Sequence, residues 1–182
     1  MPKIRSHRIA KDDFEYELDI DFKDAAIMEN KISLDVSARK RAVNETDWQE
    51  VTVNIAFNFE TGHAVVSTEG EKIGEIDLSK IDIPDHAFAE QAWDAIANAY
   101  SGSAIEDAIQ AIPSDPVFGC LVKAGISTTV GQTMNCYNST PQTSALSQRV
   151  RETILCLGQN SIWMVLTASA RTVRCMVMAG LG

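Results

Sequence analysis

The sequence predicts an α+β fold: an N-terminal antiparallel sheet of four to five strands covered by helices, followed by a C-terminal region of two or three helices. Three observations predict it. Apolar and polar residues alternate through much of residues 14–78, helical spacing takes over after residue 83, and the charge and cysteine content change abruptly near Pro116. Hydrophobic residues make up 45% and charged residues 23% of the 182, a balance that excludes a disordered chain.

The strands come first. In FEYELDIDF, Phe14, Tyr16, Leu18, Ile20 and Phe22 share one face, and Glu15, Glu17, Asp19 and Asp21 the other. The same period recurs in KISLDVSAR and EVTVNIAFNF. Glu60–Thr61–Gly62 then turns the chain into HAVVSTE, and Glu69–Gly70–Glu71 turns it again into KIGEIDL. Strands with one apolar and one polar face form an antiparallel meander wet on one side.

The apolar face needs a cover, and IPDHAFAEQAWDAIANAY supplies a helix with Phe88, Ala92, Ala95, Ile96 and Ala99 on one stripe. Ser103 and Glu106 form a capping box that opens a shorter helix, AIEDAIQAI. Pro113 and Pro116 end it and frame the strongest boundary in the chain. The division expected is an acidic α+β domain at 12–112, a linker at 113–119, and a cationic, cysteine-containing helical region at 120–182.

Beyond the boundary the composition is different. Residues 1–115 hold 11 Lys and Arg against 24 Asp and Glu, a net −13. Residues 116–182 hold five basic residues and one acid, Glu152, a net +4. No charge occurs from Ala124 to Gln148. Helices are expected over about 118–137 and 145–157, and from Ser161 to about Met178. The overall −9 excludes a duplex nucleic-acid partner, which needs clustered Lys and Arg.

Candidate chemistry is sparse. The carboxylates of Glu15, Glu17, Asp19 and Asp21 lack the glycine turn and ligand spacing of a calcium loop, so they read as a solvated face or a charged edge. His7, His63 and His86 stand in no recognisable arrangement with a cysteine, and no catalytic residue is assigned. Cys120, Cys136, Cys156 and Cys175 lie 16, 20 and 19 apart. That spacing excludes a zinc pattern and suits core thiols, or disulfides between neighbouring helices, without choosing among the three pairings. No motif implies a cofactor or a metal. The start of the chain has no apolar h-region, so synthesis in the cytoplasm without a signal peptide is expected, with export of the C-terminal part if its cysteines are to be bridged.

The stretch 153–170 is uncharged and as long as the shortest membrane spans. Gly158, Gln159, Asn160 and Ser161 interrupt it, which argues against an anchor. The last helix is instead amphipathic, with Ile162, Val165, Leu166, Ser169, Val173 and Met176 on one face, Arg171 opposite and Arg174 at the flank. Trp163, Arg171 and Arg174 are the candidate residues to face lipid or a partner. The layout is similar to that of precursor proteins in which an acidic N-terminal part precedes a cationic, apolar, cysteine-bearing antimicrobial segment; the similarity is one of layout and carries no residues across. The function expected is a precursor of a membrane-active helical peptide, cut between about Ser114 and Cys120 and directed at anionic membrane surfaces. The competing expectation is an intracellular module whose tail helices pack on the sheet or on a protein partner.

Overall fold

The alternating stretches form one antiparallel meander in which every strand pairs with its neighbours in sequence. The computed structural model describes residues 3–11, 13–22, 30–82, 89–103, 115–178 and 180. Six strands run in order: β1 (Lys3–Lys11), β2 (Phe14–Phe22), β3 (Lys31–Ala42), β4 (Gln49–Asn58), β5 (His63–Thr68) and β6 (Glu71–Asp77). A three-residue β7 (Tyr100–Gly102) pairs with β6. The sheet therefore exceeds the four to five strands expected. KIRSHRIAK shows no alternation, and its backbone is ordered by pairing with β2, with Ile9 opposite Tyr16 and Lys11 opposite Phe14. β5 and β6 are joined through Glu69 and Gly70, both at positive φ (52° and 79°), the geometry of a two-residue hairpin turn.

Alternate residues of β2 to β6 are buried on one face, among them Leu18, Leu34, Val36, Ile55, Phe57 and Ile76. Helix α1 (Ala89–Ala99) adds Ala92, Ile96 and Ala99 to the same core. The shorter helix expected at AIEDAIQAI, with its capping box, lies outside the described residues. The C-terminal region has three helices: α2 (Pro116–Asn138), α3 (Leu146–Gln159) and α4 (Ser161–Met178). α2 packs between the sheet, where it meets β2 and β3, and α4. Buried residues of the sheet and of the four described helices form one continuous cluster.

The start of α2 is built to sit where it does. Asp115 caps it, its Oδ1 accepting from the Val117 and Phe118 N–H groups at 3.0 and 3.2 Å, and Pro116 occupies the first turn, where its missing N–H costs nothing. The helix thus begins inside the stretch 113–119 read as a linker. The other carboxylate oxygen, Oδ2, accepts from the Tyr16 hydroxyl at 3.0 Å and pairs with the Lys40 ammonium at 2.8 Å, tying the helix to β2 and β3.

Burial alone would raise the carboxyl of Asp115, but the Lys40 ammonium, the Phe118 N–H and the Tyr16 hydroxyl outweigh it and hold it below the usual carboxylate value. A depressed folded-state value stabilises fully above the unfolded-state value, about pH 4, and the contribution is lost as pH falls through the folded one. Asp115→Asn keeps a good cap but removes the charge. It is expected to lower stability by about 1 kcal/mol at neutral pH and to flatten the acid limb of the stability curve. Urea midpoints measured from about pH 7 down to pH 3 check this; an unchanged acid limb would show that Asp115 does not drive it.

Candidate functional site

Both disulfides lie within the C-terminal helices. Cys120–Cys175 joins the start of α2 to the end of α4, and Cys136–Cys156 joins the end of α2 to α3, with Cα separations of 5.6 and 5.7 Å. No cysteine lies in the sheet. The bridges make α2, α3 and α4 one covalent unit without tying any of them to the strands. Arg149 closes the α2–α3 connection: its Nε donates to Thr140 Oγ1 at 2.8 Å and its guanidinium lies 4.0 Å over the Tyr137 ring. Tyr137 in turn stacks on Phe59 at 4.1 Å, a contact between the unit and the end of the sheet.

The polarity of α4 is reversed relative to a surface helix on a core. Its inward side carries Met164, Thr167, Ala168, Arg171 and Thr172. Its outward side carries Ile162, Trp163, Leu166, Val173, Val177 and Met178, each between 47% and 64% exposed. Arg171 is only 4% exposed, and its Nη1 donates to Thr128 Oγ1 of α2 at 3.2 Å. Of the three residues expected to face lipid or a partner, Trp163 and Arg174 are on the open side, and Arg171 is not. Thr128 of α2 offers a hydroxyl to the guanidinium on the buried side of the helix.

Thr128 is one of several buried polar residues of α2. α2 buries Ser127, Thr128, Thr129, Gln132 and Thr133. The Ser127 hydroxyl donates to the Lys123 carbonyl at 2.8 Å, but the Thr129 and Thr133 hydroxyls, one turn apart, find no partner among the described residues. A buried unsatisfied hydroxyl costs about 1–3 kcal/mol. Thr129→Val and Thr133→Val keep the side-chain shape and remove the hydroxyl. Each is expected to raise the unfolding free energy by about 1 kcal/mol, seen as a higher urea midpoint at unchanged slope. A fall in midpoint would mean that these hydroxyls are satisfied.

Beside the Cys136–Cys156 bridge is an open cleft of about 400 Å³ lined by Gln132, Asn135, Asn160 and Trp163. Among the described residues that line it, none is charged. All four cysteines are oxidised, which removes them as nucleophiles. Among the described residues no cluster of His, Cys, Asp or Glu is placed to hold a metal ion. The acidic row of β2 is neither a solvated face nor an edge: Glu17 and Asp19 are buried, and β1 pairs with the strand. Glu15 pairs with Arg41 at 2.9 Å and Glu17 with Arg39 at 2.7 Å, and both guanidinium groups lie on the Trp48 ring. These carboxylates hold strands together.

Among the described residues no helix is long and apolar enough to cross a membrane. Sequence reasoning missed the contribution of Leu155, Val177 and Met178 to the exposed apolar surface; the spacing of 162, 166, 173 and 177 carries the signal for Val177. It also missed the amides of the cleft, since Gln132, Asn135 and Asn160 come from separate elements. Comparison with protein-family models, with curated proteins and with solved structures finds no match to the chain.

Proposed function

We propose that the chain is a self-contained precursor of a membrane-active, antimicrobial-type helical peptide. In this reading the acidic N-terminal part, residues 1–115, sheathes the cationic C-terminal helices until a cut near residues 114–120 frees them. The observation that carries it is the reversed helix α4, apolar outside and bearing Arg171 inside, in a unit whose two disulfides are internal. A cut ahead of Cys120 leaves three helices still bridged to one another, and a buried guanidinium–hydroxyl contact under an apolar surface suits a bilayer better than water. The charge split of −13 against +4 supplies an attraction between sheath and peptide that salt weakens. Bridged cysteines fit an oxidising compartment outside the cytoplasm.

The test is to place a specific protease site between Ser114 and Asp115, oxidise and cut the chain, and add the separated C-terminal piece to vesicles rich in phosphatidylglycerol. Leakage of an entrapped dye is expected from that piece and not from the uncut chain. An oxidised, still helical piece that causes no leakage rules the reading out.

One observation favours a second reading, a binding or assembly module. α2 fills the apolar face of the sheet so closely that Gly125 faces Leu18 and Val36 directly. A module of that kind does not come apart: after the same cut, both fragments should lose structure together on separation. Circular dichroism of the separated helical piece decides between the two.

A further inference from the structure

The two bridges of the helical unit are not equivalent. Each joins a buried cysteine, Cys120 or Cys136, to a half-buried one, Cys175 or Cys156, so exposure alone does not separate them. Their surroundings do. Cys136 and Cys156 both line the open cleft of about 400 Å³, so a small solute entering it meets the bridge without any helix unfolding. Asn160, at the end of α3, is aimed at the same bridge: its Nδ2 donates to the Cys156 carbonyl at 2.8 Å and to Cys156 Sγ at 3.4 Å. The loop closed here is also the shorter, 20 residues against 55, so opening it costs the fold less.

We propose that Cys136–Cys156 is a thiol–disulfide exchange site, opened and re-formed through the cleft by a dithiol, while Cys120–Cys175 stays closed as the structural bridge. The inference needs no cut and does not rest on the precursor reading. A thiolate of the dithiol attacks Sγ of the half-buried Cys156. The S–S bond breaks, its electron pair leaves on Cys136 Sγ, and that sulfur takes a proton from solvent. The dithiol's second thiol gives up its proton, attacks the dithiol's own sulfur in the mixed disulfide, and expels Cys156 as a thiolate, which is protonated in turn. The dithiol ends as a disulfide and the protein bridge, two electrons richer, as two thiols. Asn160 is a positioning residue for the second step. Glu152, one turn earlier on α3, and the carboxyl end of that helix both disfavour negative charge at Cys156, and the Asn160 amide offsets them by donating to the departing sulfur. Arg149 still holds the α2–α3 connection through Thr140 and Tyr137, and Val150, Ile154 and Leu157 keep α3 in the core. The two thiols therefore stay close enough to re-form the bridge.

The experiment treats the intact, oxidised chain with dithiothreitol under native conditions, quenches with acid at intervals, alkylates free thiols and maps them by mass spectrometry. Cys136 and Cys156 are expected to be labelled about tenfold faster than Cys120 and Cys175, or more, with the circular dichroism unchanged. Glutathione, a monothiol, should leave its mixed disulfide on Cys156. Asn160→Ala should slow opening of Cys136–Cys156 about fivefold and leave Cys120–Cys175 as it was. A merely structural loss at that position would loosen α3 and speed the opening instead, so the direction of change separates the two roles. Opening of Cys120–Cys175 first, release of all four thiols together, or opening only as the helical signal is lost overturns the exchange site. A mixed disulfide on Cys136 overturns the assignment of Cys156 as the attacked sulfur, and an equal or faster rate in Asn160→Ala overturns the role of the amide.

Discussion

Replacing Cys120 and Cys175 together by alanine is expected to lower the unfolding free energy of the oxidised chain by about 4 kcal/mol. The estimate rests on the 55 residues that this bridge spans, because a cross-link acts chiefly by restricting the unfolded chain and the restriction grows with the logarithm of the loop. The Cys136–Cys156 bridge spans 20 residues, and its removal by the same substitutions should cost about 3 kcal/mol. Urea unfolding of the two double variants under oxidising conditions gives both numbers. A larger loss for the shorter loop would mean that folded-state contacts, not chain entropy, set the contribution. The longer bridge also matters more for a freed peptide. It alone ties the end of α4 to the start of α2, so in the freed peptide, which lacks the contacts of α4 with β1 and α1, that helix is then held only by the α3 connection and by packing on α2 and α3. In the cut chain its loss should therefore reduce dye leakage more than loss of the shorter bridge.

Where physics is local, the sequence was legible. The alternation in β2 to β4 placed Leu18, Val36 and Ile55 in the core because a period of two leaves one face no choice. The last helix was read from Ser161 to about Met178, the bounds observed, because the Gly158–Asn160 break and the apolar spacing are both local signals. The features that decide the candidate site are not local. β1 is a strand because β2 lies beside it, not because of its own pattern. Arg171 was placed with Trp163 and Arg174 as a residue facing outward. The hydroxyl it contacts belongs to Thr128, 43 residues earlier, and no periodicity within α4 reports that. The disulfide pairing was likewise open until the antiparallel course of α2 and α4 brought Cys120 to Cys175. The wheel of α4 set Ile162, Leu166 and Val173 opposite Arg171, and which side turned inward depended on what α2 presented to it.

That dependence makes Gly125 the most sensitive point of the interface between sheet and helical unit. A Cβ placed there would lie 2.6 Å from Val36 Cγ1 and 2.9 Å from Leu18 Cδ1, both buried in the middle of the sheet. Neither side chain has room to withdraw: β2 and β3 are each paired on both sides, and Val36 is stiff at χ1. Gly125→Leu gains about 1 kcal/mol in helix propensity but forces α2 off the strands, for a net loss of about 3 kcal/mol or more. Gly125→Ala, expected to lose about 1 kcal/mol net, keeps the test readable if the leucine variant fails to fold. Gly119 is the internal control, since a Cβ there meets nothing within 4 Å on the same helix. Gly119→Ala should gain up to about 1 kcal/mol. The pair also separates stability from release. If the sheet is a sheath, Gly125→Ala should speed dissociation of the helical piece after a cut, while Gly119→Ala leaves its rate unchanged. If both variants shift stability as stated but dissociation is equally slow in each, the seam over Leu18 and Val36 is not the one that opens.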